Sequence, residues 1–358
     1  MINRSDSLDH PIVRECGNAW PADGLESVSE CPICRRGGRV VVHEGLTDTV
    51  FCCAPGCWTL YRCKSCGSCY LDPRPTEATL HLAYKRYFTH ADGRSSAGGD
   101  TLSLSSKLHR ILANSYCNWR HGTRLEPSSK LALAAALLLP PTLRGLLRHL
   151  PRIPGGGRLL DVGAGNGAYL YKVREVGWDV AGVEPDPEAL AMAQRAGLNV
   201  RRGGIECFAS EPESFDFITM SHVIEHVPDP KAVLSQAMTL LKARGSLFLE
   251  TPNVQSYGHR RFGRHWRGLE PPRHLALFHW KSLERLLRQS GFSRIKRLPQ
   301  INVYPGLAAK SRAISQGRDP EAHPEPTFMD RLTGAALDAG AMVNCRHSEF
   351  ITLMAFKG

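Results

Sequence analysis

Cysteines in this sequence pair at Cys31-Pro-Ile-Cys34 and again at Cys63-Lys-Ser-Cys66. A Cys-x-x-Cys turn can aim two thiolates at one metal ion. Two such turns close a tetrahedral set of four, the structural kind of zinc site. Gly67 suits the tight turn that ends the second pair. The expected ligands are therefore Cys31, Cys34, Cys63 and Cys66, and the expected metal is zinc. Cys52, Cys53, Cys57 and Cys69 lie close by. One of them could replace a ligand, or all could be small buried hydrophobes and spare thiols. No histidine stands at ligand spacing inside the cluster, which argues against a catalytic zinc. A redox pair is the alternative, but the strand–helix context it needs is missing.

A second chemistry is written in LLDVGAGNGAYL, Leu159 to Leu170. Arg158 to Val162 is a short apolar strand, Gly163 to Gly167 a turn, and Ala168 to Val176 a helix by its apolar spacing. Glycines between strand and helix let the backbone turn sharply and approach a ligand, and the helix behind them offers free N–H groups. The next strand, Trp178 to Val183, ends in Glu184, about 20 residues past the first glycine. A carboxylate at the tip of the second strand can accept hydrogen bonds from both hydroxyls of a ribose. Asp186-Pro187 then caps the following helix. An ordinary βα turn is the plain alternative. A dinucleotide site wants G-x-G-x-x-G, whereas these glycines run G-x-G-x-G with Asp161 just ahead. That acid would repel a pyrophosphate and favour a ligand with a cationic amino group. S-adenosylmethionine carries an amino-acid tail and a ribose and no phosphate.

On these residues the chain resembles the class I S-adenosylmethionine-dependent methyltransferases over roughly Pro154 to Gly358. The resemblance is carried by LLDVGAGNGAYL, VAGVEPDP (Val180 to Pro187), FDFITMSHVIEHVPDP (Phe215 to Pro230), LKARGSLFLETPN (Leu241 to Asn253) and LLRQSGF (Leu286 to Phe292), in that order. It implies that Asp161, Gly163, Ala164, Gly165 and Gly167 surround the methionine portion of the donor and that Glu184 holds the ribose. It also implies that Gly204, Ile205 and Glu206 line the adenine. The CPIC…CKSCG…LDPRP start is similar, more loosely, to a zinc module found on bacterial methyltransferases of sugar and secondary metabolism.

Ser221 and His222 fall at the C-terminal tip of the strand Phe215 to Met220, where ligands of such sheets sit. Methyl transfer is an in-line displacement on a carbon that is already activated. The protein has mainly to align the nucleophile and take its proton, a task suited to histidine. His226 is the first candidate base and His274, in Pro271-Pro-Arg-His, the second. The plainer reading is that Glu225-His226 caps a helix and touches the cofactor. In the sugar C-methyltransferases that the module resembles, a histidine at each of these positions lies at the active site, and a glutamate precedes the second. Here that neighbour is Arg273, which puts C-methylation in doubt and points to an oxygen nucleophile. The expected reaction is methyl transfer to a hydroxyl of a sugar, lipid-linked or secondary metabolite. The alternatives are C-methylation of a nucleotide-linked sugar, or a zinc-module binding protein built on a methyltransferase scaffold.

Several elements must position these groups. The chain of 358 residues is long enough for one domain and a smaller module, and 42% of it is hydrophobic. We read residues 1–25 as a tail, 26–75 as the zinc module, 76–153 as a helical connector or lid, and 154–358 as the methyltransferase domain. The expected fold is α/β, a doubly wound Rossmann-like sheet, mostly parallel, with Phe350 to Phe356 as an antiparallel final strand in a hairpin with the one before it. Helices are expected at Lys107 to Trp119, Lys130 to Leu139, Thr142 to Leu150 and Trp280 to Ser290, with loose or polar loops at Ala91 to Ser106 and Gln316 to Pro326. The net charge of +11 and the arginines of GHRRFGRHWRGLEPPRH (Gly258 to His274) suggest an anionic small-molecule substrate, or only a solvated basic loop. Nothing matches an RNA-binding module. The start lacks the apolar core of a secretion signal, and LALAAALLL (Leu131 to Leu139) is too short to span a bilayer. A cytoplasmic protein is expected, with thiols reduced or metal-bound rather than in disulfides.

Overall fold

In the computed structural model the described residues are 19–84, 104–138, 145 and 147–358. Most of the expected Ala91 to Ser106 loop and part of the Thr142 to Leu150 helix lie outside them, as does most of the tail. Leu147 to His149, inside that expected helix, form a turn.

The cysteine-rich segment builds a small antiparallel sheet. A two-residue pair, β1 (Leu25–Glu26) with β5 (Arg74–Pro75), ties its ends together. Between them β2 (Arg39–Leu46), β3 (Trp58–Cys63) and β4 (Cys69–Leu71) form a meander. Its fourth strand, β11 (Ala276–Leu277), comes from far along the chain and pairs with β4. The cysteine module and the larger half therefore share one sheet. Trp58, Leu60 and Leu71 of the module pack in one cluster with Val254, Trp266, Leu269 and Leu277.

The larger half is a seven-stranded sheet of β6 (Arg158–Val162), β7 (Asp179–Glu184), β8 (Asn199–Arg202), β9 (Phe215–Ser221), β10 (Leu241–Pro252), β12 (Arg294–Arg297) and β13 (Phe350–Phe356). The order is β12-β13-β10-β9-β6-β7-β8. Strands β8, β7, β6, β9 and β10 are parallel, and β13 runs antiparallel to β10 and β12. Parallel strands are covered on both faces, so they read as apolar runs rather than alternation. The pleat still sorts the residues. Leu159, Phe217 and Phe248 enter one core cluster, while Leu160, Ile218 and Leu249 enter the other.

The final strand departs from expectation in one respect. It is antiparallel, but it is inserted between β10 and β12 and makes no hairpin. Two helices, α8 (Tyr304–Ser315) and α9 (Phe328–Val343), separate it from β12 in the chain. The other helices are α1 (Leu104–His121), α2 (Lys130–Leu137), α3 (Ala168–Glu175), α4 (Pro187–Arg195), α5 (Pro230–Leu240), α6 (Tyr257–Phe262) and α7 (Trp280–Gln289). The starts of α4 and α5 follow the sequence closely. Asp186 and Asp229 accept the first backbone N–H groups, and a proline follows each. No helix among the described residues is long and apolar enough to cross a membrane. Strand order reverses at β6, flanked by β7 on one side and β9 on the other. In open sheets of this kind ligands bind at that switch point, beyond the carboxyl ends of the strands.

Candidate active site

The chain leaves β6 through a turn whose three glycines all have positive φ: 73° at Gly163, 55° at Gly165 and 82° at Gly167. A Cβ on Gly163 would stand 2.6 Å from Val223, and one on Gly167 would stand 2.3 Å from Leu198. Conformation and space both demand glycine there. The Gly165 N–H donates to Glu184 at 2.7 Å, and the Asp186 N–H donates to the other oxygen of that carboxylate at 2.9 Å. Burial pushes the Glu184 carboxyl up, and these two N–H bonds pull it back. Each oxygen keeps a lone pair for a ribose hydroxyl.

Asp161, 1% exposed, lies beneath the turn. Its Oδ1 accepts from Arg148 at 2.5 Å and from Thr219 at 2.6 Å, while Oδ2 is buried without a partner. Burial raises its pKa, against the pull of Arg148 and Thr219. The chain thus supplies one cation to this acid itself, and Oδ2 is the atom left for a ligand's ammonium group. Arg148, whose guanidinium lies 3.9 Å over the Tyr169 ring, had no sequence signal because it precedes the motif in irregular chain. Ala164 is buried beside the turn, whereas Ile205 turns its side chain into the core. An orphaned buried oxygen, a cradle that excludes Cβ atoms and a carboxylate at the second strand tip together fit S-adenosylmethionine.

Beyond β9, His222 takes a left-handed φ of 56° and sits between two acids. Its Nδ1 is 3.3 Å from Glu225 and its Nε2 is 3.4 Å from Glu250. Burial opposes charge on this ring, but the two carboxylates outweigh it and hold its pKa up to about 10. Ser221 donates to Glu250 at 3.5 Å. Glu225 is buried and takes a hydrogen bond from Thr251 at 2.9 Å. Burial pushes its carboxyl up, yet His222 and the nearby histidines bring it down to about 2.

His226 and His274 meet next to Glu225, with ring centroids 4.8 Å apart. His226 Nδ1 is 3.0 Å from the Arg273 carbonyl and 2.9 Å from the Tyr84 hydroxyl. His274 Nδ1 is 2.9 Å from the Gly268 carbonyl, and its Nε2 is 4.0 Å from Glu225. A carbonyl only accepts, so it draws the proton to Nδ1 and leaves Nε2 with its lone pair. Burial holds His274 neutral, with its pKa down at about 4. Glu225, His226 and His274 each offer a ligand-type atom within 4.8 Å of the others. Such convergent acceptors can take a proton, and their spacing would also admit a divalent cation. Tyr84 ends a 3-10 turn at Leu80–Tyr84 and was not singled out in the sequence; it is one aromatic beyond the module with no motif around it.

The arginines between Gly258 and His274 divide, with Arg260, Arg261 and Arg264 exposed and Arg267 and Arg273 buried. Arg267 is buried and pairs with Glu270 and with Glu321, the latter at 3.1 Å. Arg273, 0% exposed, pairs with Asp48. Arg261 donates to Tyr304, and Arg264 to the Gly45 carbonyl. A tryptophan-centred core pulls the end of this segment inward and buries Arg267 and Arg273, while Arg260, Arg261 and Arg264 stay exposed.

The four cysteines gather as expected. Sγ atoms of Cys31 and Cys66 are 3.6 Å apart, as are those of Cys34 and Cys63, and all four lie within 4.8 Å. Tetrahedral zinc at about 2.3 Å from each sulfur needs sulfurs about 3.8 Å apart, so the set fits that ion. Gly67 has φ 77°, and its N–H donates to the Cys63 carbonyl at 3.0 Å. Cys69 is buried and stays outside the set, Cys53 donates to the Ala83 carbonyl, and Cys57 is disulfide-bonded, against the expectation for this region.

A parallel sheet of this order, with a glycine turn after the first strand and a carboxylate ending the second, defines a class I S-adenosylmethionine-dependent methyltransferase domain. The chain carries such a domain: residues 135–296 match a family described as a methyltransferase domain. Curated relatives include ubiquinone biosynthesis O-methyltransferases. That of Xanthomonas euvesicatoria is 38% identical over 105 residues, 27% of this chain and 44% of that protein. That of Paraburkholderia phymatum is 38% identical over 111 residues, 28% of this chain and 48% of that protein. The match thus spans less than half the length of either relative. Among solved structures, a possible histamine N-methyltransferase from Thermotoga maritima is 20% identical, covering 70% of this chain and 99% of that one at TM-score 0.40. An S-adenosylmethionine-dependent methyltransferase from Archaeoglobus fulgidus is also 20% identical, covering 60% and 91% at TM-score 0.42.

Proposed function

We propose that this protein transfers a methyl group from S-adenosylmethionine to a hydroxyl of a small-molecule acceptor. One juxtaposition carries the reading: the Gly163–Gly167 cradle and its two acids open beside a histidine, His226, whose Nδ1 faces a carbonyl. Bound in the cradle, S-adenosylmethionine would supply a methyl carbon already activated by its sulfonium. Glu184 would hold the ribose, and Asp161 Oδ2 the ammonium. Of the two histidines, we assign proton removal to His226 first. The acceptor hydroxyl gives its proton to Nε2, while Nδ1 keeps its own proton and donates it to the Arg273 carbonyl, so the imidazolium is stabilised as it forms. His274, held neutral, accepts a hydrogen bond from the acceptor and orients it. Ser221 and His222 shape the pocket floor through Glu250 and Glu225.

O-methylation is favoured by the curated relatives, which are ubiquinone biosynthesis O-methyltransferases. A sugar, lipid-linked or secondary metabolite is the proposed acceptor. The buried pairing of Arg267 and Arg273 removes two groups that would otherwise have selected an anionic one. Cys31, Cys34, Cys63 and Cys66 would hold a structural zinc.

Calorimetric titration tests the donor site. S-adenosylmethionine is expected to bind the native protein and to lose binding in Glu184→Ala. Absence of binding to the native chain would leave a binding protein on a methyltransferase scaffold. With donor and acceptor in hand, normal turnover in both His226→Ala and His274→Ala would remove them from the reaction.

A further inference from the structure

We infer that Asp48, a residue of the cysteine module, is a positioning residue for His226 and acts through Arg273. The inference rests on the methyl-transfer reading only for what His226 does; the contacts stand without it.

The location of one proton is at stake. With hydrogen on Nδ1, His226 donates to the Arg273 carbonyl, the Tyr84 oxygen is a second acceptor, and Nε2 is free to act as a base. With Nδ1 bare, Tyr84 donates to it, the carbonyl faces a lone pair at 3.0 Å, and Nε2 carries the hydrogen and cannot take one. The relative placing of two partners therefore decides whether the ring is ready as a base.

Both partners hang from one guanidinium. The carbonyl belongs to Arg273. The hydroxyl belongs to Tyr84, and Arg273 Nη1 donates to the carbonyl of the preceding residue, Ala83, at 2.8 Å. Two routes from Arg273 thus end on the same imidazole nitrogen. Arg273 is in turn fixed by Asp48. Nη1 lies 3.1 Å from Oδ2, and Nη2 bonds Oδ1, giving a fork with both side chains shut away from water. Asp48 cannot easily shift, because its oxygens also take the N–H groups of Phe51, Cys53 and Ala54 at 3.0–3.1 Å. A guanidinium at this depth has to keep a partner, since an unpaired buried charge is strongly destabilising. The Phe51 ring, 4.5 Å from its centre, adds a flat apolar wall.

Asp48→Asn loses the charged fork while Glu270, with an oxygen 3.5 Å from Arg273 Nε, still offsets the charge, so folding should survive. The full chain, labelled with 15N-histidine, is read by long-range proton–nitrogen NMR, with signals assigned by their loss in His226→Asn and His274→Asn. In the native protein His226 is expected as a single tautomer with hydrogen on Nδ1. In Asp48→Asn its two nitrogen shifts should move toward each other as the tautomers mix, whereas His274, held by Gly268, keeps its pattern. Arg273→Lys, which keeps the charge but lacks the fork, should give the same change. Val28→Ala, a cavity in the same module but in the other core cluster, should lower stability and leave the tautomer alone. An unchanged His226 pattern in Asp48→Asn, or the same change in Val28→Ala, overturns the inference. S-adenosylmethionine affinity, measured on the same samples, should be equal in native protein and Asp48→Asn. Its absence from the native protein would sink the methyl-transfer reading and leave the tautomer result to decide this one.

Discussion

The two halves of the candidate site are assembled in different ways. The donor cradle closes over short stretches of chain, with the Gly165 N–H reaching Glu184 only 19 residues on. The histidine pocket closes over long ones. Tyr84 meets His226 across 142 residues, and Asp48 meets Arg273 across 225. Contacts of the first kind leave a motif, because one turn geometry forces the residue types around it. Contacts of the second kind leave single residues, each unremarkable where it stands. The cradle should therefore answer to local backbone changes, and the pocket to changes in a module far away in sequence.

The largest break in that comparison should come from the cysteine centre. Cys63→Ser removes one of four converging sulfurs. Structural zinc contributes about 10–16 kcal/mol of apparent binding in zinc-finger peptides, most of it folding free energy. Metal analysis should show less than a full equivalent of zinc, and thermal unfolding should move down by many degrees or split. Because β11 begins two residues after His274 and belongs to the module's sheet, the pocket should loosen with it. The cradle, built on β6 and β7, should still bind donor. A full equivalent of zinc in Cys63→Ser would mean that the ligand set is wrong.

Gly167→Ala should do the reverse. A Cβ would meet Leu198 at 2.3 Å with φ at 82°. Left-handed strain and overpacking together cost about 2–4 kcal/mol. Urea midpoints should fall accordingly and donor affinity should drop, while zinc content stays at the native level. An alanine tolerated there without loss of affinity would show that the turn is not the cradle.

These expectations also mark what could be read in advance. The strand–turn–helix around Gly163, the carboxylate at Glu184, the two capped helices and the four cysteines all follow from local rules, and the structure places them together. The meeting of His226 and His274 needed the resemblance to other methyltransferases, because 47 residues separate His226 from Arg273. Arg148, Tyr84 and Asp48 were not visible: each is a single residue of a common type with no spacing to mark it. The insertion of β13 was missed for a related reason. An apolar strand shows that it is buried, and its sequence says nothing about which neighbours it chooses. In the basic segment from Gly258, charge counts could not separate the exposed arginines from Arg267 and Arg273, whose partners Glu270, Glu321 and Asp48 lie inside the protein.

A gentler probe of the pocket is pH. His222, held up at about 10 against an ordinary 6.5, contributes stability that is complete below about pH 6.5 and is lost as pH rises through 10. His274, held down at about 4 by burial, works in the opposite direction. The unfolded chain takes its proton first, so stability falls as pH drops from about 6.5 toward 4. Together they give the pocket its greatest contribution near pH 6.5. Each flank has a slope of up to about 1.4 kcal/mol per pH unit. His222→Gln should flatten the alkaline flank alone and His274→Gln the acid flank alone, as read from urea unfolding across pH. An alkaline flank unchanged in His222→Gln would remove the clamp between Glu225 and Glu250.

The smallest effect is expected where module and domain touch at the solvent-exposed surface. Arg35 pairs with Asp229 at 2.8 Å, but both side chains are about half exposed. Such pairs contribute about 0–1 kcal/mol. Asp229 would go on capping α5 without it, since its other oxygen takes the N–H groups of Lys231 and Ala232. Arg35 also holds a φ of 55°, which costs a side chain about 1–2 kcal/mol and glycine almost nothing. Arg35→Ala should therefore lower stability by at most about 1 kcal/mol. Arg35→Gly should recover that loss, because relief of the left-handed strain offsets the missing ion pair. Thermal melts of the two variants side by side test this. If Arg35→Gly is the less stable of the two, the ion pair and not the knuckle backbone holds this contact, and the surface between the halves matters more than their shared sheet.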